Sequence, residues 1–493
     1  MFFRRALWTV AIASLCWSCT NEETATSPPN VVVILADDMG IGDLGVYNAE
    51  SKIPTPNLDA LAASGMRFTD AHSPSAVCTP TRYGILTGRY SWRTRLKQGV
   101  LWGEDVNLID VERLTVADLM HDAGYATGVF GKWHLGLGAA PAGVDPAEAK
   151  TKWNSPLIPG PLDHGFDEFF GIPASLDMEP YLYVLDRTPE QQPTEQVEAS
   201  ERARDGGAGF WRAGPIAPDF RHADVLDRVV DEAASFIERR ASATDGKPFF
   251  LYLPLTAPHT PWMPSEEFRG RSGAGPYGDF MAMVDDRLGQ VLSVLEQQGF
   301  ADNTLVIFAS DNGANWIPEE IEQYNHRANG PWRGQKADIH EGGHRIPFLV
   351  RWPGHVAAGV VRDELLCLTD IEASLAGVLG VELPNDAAED SFDQSPVWLG
   401  TSIAAPRTAI VNHSNGGMFS IRQNNWKLIL GLGSGGFTQP GNGEPEPGGP
   451  LGQLYDLTAD PAETTNLYSD NPGKVDELSA LLERYQTEGR SRP

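Results

Sequence analysis

Residues Val31–Ala36 read VVVILA and stop abruptly at Asp37-Asp38. An aliphatic, β-branched run without polar alternation is what a strand covered on both faces requires. The same grammar returns along the chain. Ala126–Phe130 runs into Gly131-Lys132-Trp133-His134, and Phe249–Leu255 (FFLYLPL) runs into Thr256-Ala257-Pro258-His259. Leu305–Ala309 (LVIFA) runs into Ser310-Asp311-Asn312-Gly313. A fifth run, Ile346–Trp352 (IPFLVRW), ends in Pro353-Gly354 and offers no ligand. Amphipathic stretches lie between these runs. Asp224–Arg240 puts Leu226, Val229, Val230, Ala233, Phe236 and Ile237 on one helical face, and Phe280–Gln298 does the same with Met281, Val284, Leu288, Val291, Leu292 and Leu295. Thr115–Ala123 opens on a threonine cap and stops at Gly124. Strands alternating with helices predict an α/β sheet, and such sheets bind ligands beyond the carboxyl ends of their strands. The polar clusters are therefore expected to converge there.

The texture changes near residue 385. Pro384–Pro406 is acidic and linker-like, and Ala409–Asn412, Phe419–Arg422 and Trp426–Leu430 are short strand candidates. Gly431–Gly452 is rich in Gly and Pro, and Lys474–Gln486 reads as a terminal helix. We expect a catalytic α/β domain over 30–385 and a smaller α+β subdomain, an antiparallel sheet plus helix, over 386–493.

The chain has 493 residues, 41% of them hydrophobic, which is enough for a sizeable core and excludes wholesale disorder. Its formal charge of -28 excludes a nucleic-acid binder, which needs a basic footprint. No internal period suggests a solenoid or propeller. Residues 1–19 carry Arg4 and Arg5, the apolar run Ala6–Trp17 and then Cys19, an export segment too short to span a bilayer. Cys19 is a candidate lipidation site that would tether the chain to a membrane, although Cys16 and Trp17 fit the usual small-residue box poorly. Cleavage and release is the alternative. Residues 20–29 then form a tether, and the expected location is the bacterial periplasm or outer membrane, with secretion as the alternative. Removing the segment takes away two Arg and no acid, so the charge moves from -28 to -30. Of four Cys, only Cys78 and Cys367 then remain. They can form one disulfide, but the neighbourhood of Cys78 points elsewhere.

Asp37, Asp38, Asp311 and Asn312 offer hard oxygen donors, which select Ca²⁺ or Mg²⁺ over Zn²⁺. Either pair alone would read as a turn or helix cap. Two other patterns mislead. His340-Glu341-Gly342-Gly343-His344 matches a zinc-protease pattern that works only on a helix, where each glycine costs about 1 kcal/mol. Gly431-Leu432-Gly433-Ser434-Gly435-Gly436 fits a dinucleotide fingerprint, but Phe437-Thr438-Gln439-Pro440 follows instead of a helix.

The sharpest local pattern is Ala76-Val77-Cys78-Thr79-Pro80-Thr81-Arg82, followed by Ile85-Leu86-Thr87-Gly88. It resembles the signature of the type I, formylglycine-dependent sulfatases of the alkaline phosphatase superfamily. Gly124-Tyr125-Ala126-Thr127…Gly131-Lys132-Trp133-His134 resembles their second signature. Gly334-Gln335-Lys336…Glu341-Gly342-Gly343-His344-Arg345-Ile346-Pro347 and Leu454-Tyr455-Asp456-Leu457…Asp460-Pro461 extend the resemblance over about residues 30–470. Thr81, where Ser is commoner, and Phe130, where a smaller aliphatic residue is usual, are its small departures. The pattern is that of arylsulfatase-like and N-acetylgalactosamine-6-sulfatase-like members, of the bacterial carbohydrate sulfatase type.

The resemblance implies an alkaline-phosphatase-like fold, a large mixed sheet flanked by helices with the smaller C-terminal subdomain. It implies one divalent cation, Ca²⁺ with Mg²⁺ as the alternative, held by Asp37, Asp38, Asp311, Asn312 and residue 78. It also implies a maturation enzyme that oxidises Cys78 to formylglycine (3-oxoalanine). One hydroxyl of the aldehyde hydrate would attack sulfur, and loss of the other's proton would expel sulfate. Arg82, Lys132 and Lys336 would neutralise the sulfate and hold the hydrate. His134 would take the eliminated proton, and His259, with Lys336, would donate to the leaving alcohol. The expected reaction is hydrolysis of a sulfate ester on a carbohydrate. A phosphodiester or phosphonate monoester hydrolase of the same superfamily and an inactive glycan-binding lipoprotein are the rivals, and a Cys–His protease would leave the acidic pairs unexplained. Candidate substrate contacts are Asp177, Tyr181, Trp332, His413 and Arg422, with Trp211, Trp262 and Trp316 as either sugar-stacking or core residues. An acidic chain that binds an anion must attract it locally, through these bases and the cation.

Overall fold

The computed structural model describes residues 27–201, 209–402 and 406–493. The export segment, Cys19 and most of the tether lie outside the described residues. Two sheets organise the rest. The larger has ten strands in the order Val360–Arg362, Met66–Phe68, Phe348–Arg351, Thr304–Ser310, Asn30–Ala36, Phe249–Pro254, Ala126–Lys132, Glu168–Ile172, Val184–Leu185 and Thr188–Pro189. From Thr304–Ser310 to Glu168–Ile172 every pairing is parallel, with Val33 beside both Tyr252 and Ile307. The four runs that end in polar clusters are thus adjacent and share a direction. The fifth run, Phe348–Arg351, pairs antiparallel with Thr304–Ser310. Its carboxyl end points away from the others, which is why it carries no ligand.

Val31–Ala36 is buried throughout, so the uninterrupted apolar run is covered on both sides. Helix Val225–Ser242 contributes the face expected from its periodicity, with Leu226, Val229, Val230, Ala233, Phe236 and Ile237 all buried. Each large aliphatic or aromatic side chain buried this way contributes roughly 1.5–3 kcal/mol. That helix packs on Gly275–Gln297, which in turn packs on Pro56–Ala63. A second group joins Cys78–Thr87, Val116–Asp122 and Asp370–Leu379. Thr115 caps its helix as the sequence indicates, its hydroxyl accepting from the Asp118 amide while the Asp118 carboxylate accepts from the Thr115 amide.

The smaller sheet is antiparallel, in the order Ala409–His413, Phe419–Gln423, Trp426–Ile429, Gln453–Asp456. Helix Pro472–Thr487 closes it with Val475, Leu478, Leu481, Leu482 and Tyr485. The glycine-rich stretch after Ile429 leads to no helix before Pro472, so the dinucleotide fingerprint has no helix N-terminus to work with.

Candidate active site

The four parallel strand ends bring Asp37-Asp38, Lys132–His134, His259 and Asp311-Asn312 together, as expected. Two backbone positions there are left-handed without being glycine, Asp38 at φ 68° and His134 at φ 57°. Such a conformation costs a non-glycine residue roughly 1–2 kcal/mol, and it turns both side chains off their strands toward the centre. Gly131 (φ 137°) sits where a β-carbon would fall 1.9 Å from the Pro254 carbonyl oxygen, so only glycine lets the strand end close up beside its neighbour.

Cys78 is the first residue of helix Cys78–Thr87, with Sγ 3.7 Å from Asp37 Oδ1. One turn later Arg82 is fully buried. Its Nε and Nη2 donate to Asp311 Oδ2 at 3.1 and 2.8 Å, and its Nη1 donates to the Lys132 carbonyl at 2.8 Å. Lys132 Nζ donates to Asp37 Oδ2 at 2.7 Å, and Lys336 Nζ donates to Asp38 at 2.7 Å. Asn312 Nδ2 donates to Asp38 Oδ1 at 2.8 Å, while its Oδ1 is buried without a hydrogen-bond partner among the described residues. Asp37, Asp38, Cys78 and His259 each place a ligating atom within 4.8 Å of the others. The oxygens of Asp37, Asp38, Asp311 and Asn312, the last with its Oδ1 unsatisfied, are hard donors that fit a divalent cation of the Ca²⁺ or Mg²⁺ kind.

Burial works to raise the Asp37 carboxyl, but Lys132, His259, Arg82 and Lys336 outweigh it and hold the group well below the usual carboxylate range. Asp311 goes the other way, pushed up to about 6 by burial and by the Asp37 charge, against the pull of Arg82 and Lys132. Burial also pushes the Cys78 thiol up to about 12, despite Lys132 and Lys336 nearby. An unmodified thiol here stays protonated and is a poor nucleophile, which disfavours a Cys–His protease. Burial, with Lys132 and Arg82, presses His134 well below its ordinary value, so it is neutral. Its Nε2–H donates to the Leu101 carbonyl at 2.7 Å, and Nδ1 is left without a partner among the described residues. His259 donates Nδ1–H to the Thr260 carbonyl at 2.7 Å, leaving Nε2 3.6 Å from Asp38 Oδ2.

A pocket of about 370 Å³ opens onto this cluster, with Cys78, His134, His259 and Lys336 facing it. Of the proposed substrate contacts only Asp177 lines it. Tyr181 is buried behind Asp177, its hydroxyl donating to the Asp177 and Arg212 carbonyls. Trp332 lies under the Arg345 guanidinium instead, 4.1 Å away. His413 ends its strand, buried beside Phe419, and Asn415, two residues on, reaches the pocket in its place. Arg422 is spent on both oxygens of Asp70 at 2.7 Å. Trp262 and Trp316 are core residues, and Trp211 stacks on His222. The sequence reading missed Trp102, Ser175, Phe210, Arg212, Asn415 and Phe437, which wall the pocket. They come from five stretches with no shared spacing, Phe210 and Arg212 being the one pair from the same stretch, and only the exposure of Trp102, Phe210 and Phe437 singles them out once the chain is folded.

The zinc-protease pattern dissolves in the structure. Glu341–His344 is a single helical turn, with His340 turned to Gln453 and His344 to His72 and Lys427. Cys78 and Cys367 are both free, so no disulfide links them.

The ends of the parallel strands thus gather carboxylates, buried cations and a protonated thiol around one pocket, an arrangement suited to a tetrahedral anionic ester. The comparisons agree: the sulfatase family profile matches residues 29–381, and the chain belongs to that family. An N-acetylgalactosamine-6-O-sulfatase of Bacteroides thetaiotaomicron is 35% identical, over 93% of this chain and 93% of that protein. Human arylsulfatase A is 34% identical, over 93% of this chain and 87% of that protein. A solved structure described with the metabolism of multiple glycosaminoglycans by Bacteroides thetaiotaomicron has a TM-score of 0.81 at 34% identity, covering 93% of this chain and 99% of the other.

Proposed function

We propose that this sulfatase hydrolyses a sulfate ester on a carbohydrate, at the pocket over Cys78. The observation that carries the reading is the position of Cys78, at a helix start 3.7 Å from Asp37 and inside a ring of buried carboxylates and cations. Oxidised to formylglycine by a maturation enzyme, residue 78 would supply a hydrated aldehyde whose one hydroxyl attacks sulfur while deprotonation of the other releases sulfate. Asp37, Asp38, Asp311 and Asn312, with the oxygen of residue 78, would hold one Ca²⁺, which polarises the sulfate.

The chain's own residues divide the remaining work. Lys336 faces the pocket and neutralises the incoming sulfate, and Lys132 lies one layer deeper on Asp37. Arg82 spends its guanidinium on Asp311 and on the Lys132 carbonyl, so it positions ligands rather than meeting substrate. His134, neutral with Nδ1 free, is placed to accept the proton on elimination. His259, at the pocket wall, is placed to serve the leaving alcohol. The two Bacteroides likenesses favour a glycosaminoglycan-type amino sugar sulfated at the 6 position as substrate. The sequence further favours an exported protein, periplasmic or tethered to the outer membrane through Cys19. Fatty-acid labelling that is lost in Cys19→Ala supports the tether, and labelling unchanged by it refutes it.

The deciding assay compares protein matured with the formylglycine-generating enzyme on an aryl sulfate and an aryl phosphodiester. Sulfate release dominates, a loss of mass at residue 78, where the thiol sulfur gives way to an aldehyde oxygen, marks formylglycine, and Cys78→Ala loses turnover by more than about 10⁴-fold. A preference for the diester in kcat/KM would transfer the reading to a phosphodiesterase, and turnover surviving in Cys78→Ala would remove the nucleophile.

A further inference from the structure

The outer wall of the pocket holds polar groups that the chemistry above does not use. Asp177 is 5% exposed. Its Oδ2 accepts from Arg212 Nη1 at 2.5 Å, while its Oδ1 has no hydrogen-bond partner among the described residues. Ser175 Oγ, two residues earlier on the same loop, is likewise buried, unpartnered and in the pocket lining. Arg212 is clamped. Its guanidinium lies 4.8 Å from the Trp102 ring and 4.9 Å from the Phe210 ring, and Nη1 also donates to the Asp177 carbonyl at 3.2 Å. Its Nε and Nη2 make no hydrogen bond with the described residues, and about a third of the side chain (34%) faces solvent. Trp102 and Phe210, both in the pocket wall, remain 43% and 40% exposed.

A buried acceptor without a donor is unfavourable unless a ligand brings the donor. An ionised carboxylate only accepts, so the missing partner is a hydroxyl or an N–H. A sulfate or carboxylate would set oxygen acceptors against an acceptor. The free edge of Arg212 supplies donors next to it, so the pair offers both halves of the hydrogen bonding of a ring hydroxyl. Position narrows the ligand further. His259 Nδ1 stands 3.9 Å from Asp177 Oδ1, and Nε2 of the same ring stands 3.6 Å from Asp38 Oδ2. One imidazole separates the pair from the metal-binding carboxylates, so it meets the sugar that carries the scissile sulfate and not a neighbour further along a glycan.

We propose that Asp177 and Arg212, walled by Trp102 and Phe210, form a hydroxyl-reading subsite that selects a sulfated sugar with a free hydroxyl there and rejects one sulfated at that position. Asp177 and Ser175 accept from the ring, Arg212 both donates to it and fixes Asp177, and the aromatic rings hold Arg212 flat. The inference rests on the sulfatase reading.

The test uses the matured full chain, a 6-sulfated amino sugar, and its analogues with one ring hydroxyl removed at a time or sulfated in its place. Sulfate release gives kcat/KM for each. In the wild type one deoxy analogue falls by about 100-fold or more, as expected where a site is built to hydrogen-bond a hydroxyl, and the sugar sulfated at the same position falls at least as far. In Asp177→Ala the parent sugar drops to the level of that deoxy analogue, so the preference disappears, and Arg212→Ala shrinks it by at least about tenfold. A structural or purely catalytic role for Asp177 would lower parent and analogue alike and leave the ratio intact, which overturns the proposal. A wild type indifferent to every hydroxyl also overturns it, with the sulfatase reading untouched. Failure to release sulfate from any of these sugars or from an aryl sulfate removes the sulfatase reading, and this inference with it.

Discussion

Two buried clusters in this molecule have the same ingredients and opposite characters. At the strand ends lie Asp37, Asp38, Asp311, Arg82, Lys132, Lys336, His134 and His259. Between the two sheets lie Asp70, Glu341, Glu463, Arg345, Arg422, Lys427, His72 and His344. Each contains a group of residues that could ligate a metal, Asp37, Asp38, Cys78 and His259 in the first, His72, Glu341 and His344 in the second. In the second, the place of a cation is already taken. Lys427 Nζ lies 3.1 Å from Glu341 Oε1, 3.1 Å from His344 Nε2 and 2.9 Å from Glu463 Oε1. Arg345 bridges Glu341 and Asp70, Arg422 grips Asp70 with two nitrogens, and the two histidines meet at 3.0 Å. Three carboxyls meet three cations, and every histidine nitrogen has a partner. The strand-end cluster instead keeps Asn312 Oδ1 and His134 Nδ1 unsatisfied and faces an open pocket. Composition does not separate a reaction centre from a structural clamp. Unspent valence and access do.

That contrast can be broken by experiment. The largest expected effects come from paired substitutions. Asn312→Ala should cut kcat/KM by more than about 100-fold while leaving the thermal midpoint almost unchanged. Glu341→Gln should do the reverse, costing about 3–5 kcal/mol of unfolding free energy because Lys427 and Arg345 lose a buried counter-charge. Urea unfolding read beside steady-state kinetics checks both. An Asn312→Ala protein that unfolds as readily as the Glu341→Gln protein would erase the distinction.

A smaller effect depends on pH. Burial pushes the Asp70 carboxyl up, but Arg345, His72 and Arg422 outweigh it and hold it well below the ordinary range. A carboxyl depressed in the folded state binds fewer protons there than in the unfolded chain. Its stabilisation is therefore complete above the unfolded value of about 4 and is lost as pH falls from there toward the folded value. Asp70→Asn should be less stable than wild type at pH 7, and the gap should narrow progressively below about pH 4. A gap independent of pH would mean that packing, and not charge, holds the two sheets together. Smallest of all is the salt response. The chain is strongly acidic, so raising ionic strength should leave desulfation of a singly sulfated sugar within about twofold and should help highly sulfated chains, by screening the surrounding surface. Strong inhibition would point to a basic groove outside the pocket.

Much of the candidate site was legible because strand, turn and polar side chain are contiguous. VVVILA followed by Asp37-Asp38 needs only local rules to be read as a strand with a polar end, and the cysteine signature sits within a single helix. Of the candidate substrate contacts, only Asp177 was legible and lines the pocket. Tyr181, Trp332, His413 and Arg422 have suitable side chains, but packing spends each of them elsewhere. Phe210 and Arg212 are two residues apart, but Trp102 and Asp177 join them only in the folded chain. The stretch Lys336–Pro347 shows both outcomes within one motif. Lys336 reaches the pocket, and Glu341, His344 and Arg345 turn into the clamp.

The sequence by itself determined the alternation of strand and helix, the capped and amphipathic helices, and the polar clusters at four strand ends. These depend on neighbours a few residues apart, where periodicity and local hydrogen bonding dominate. Only the tertiary structure decided which of two similar charged clusters keeps free valence, which aromatic residues stay exposed, and which carboxylate is left waiting for a donor. Those outcomes depend on residues tens to hundreds of positions apart meeting in the folded chain. Burial and pairing there are set by the whole packing and by no single segment.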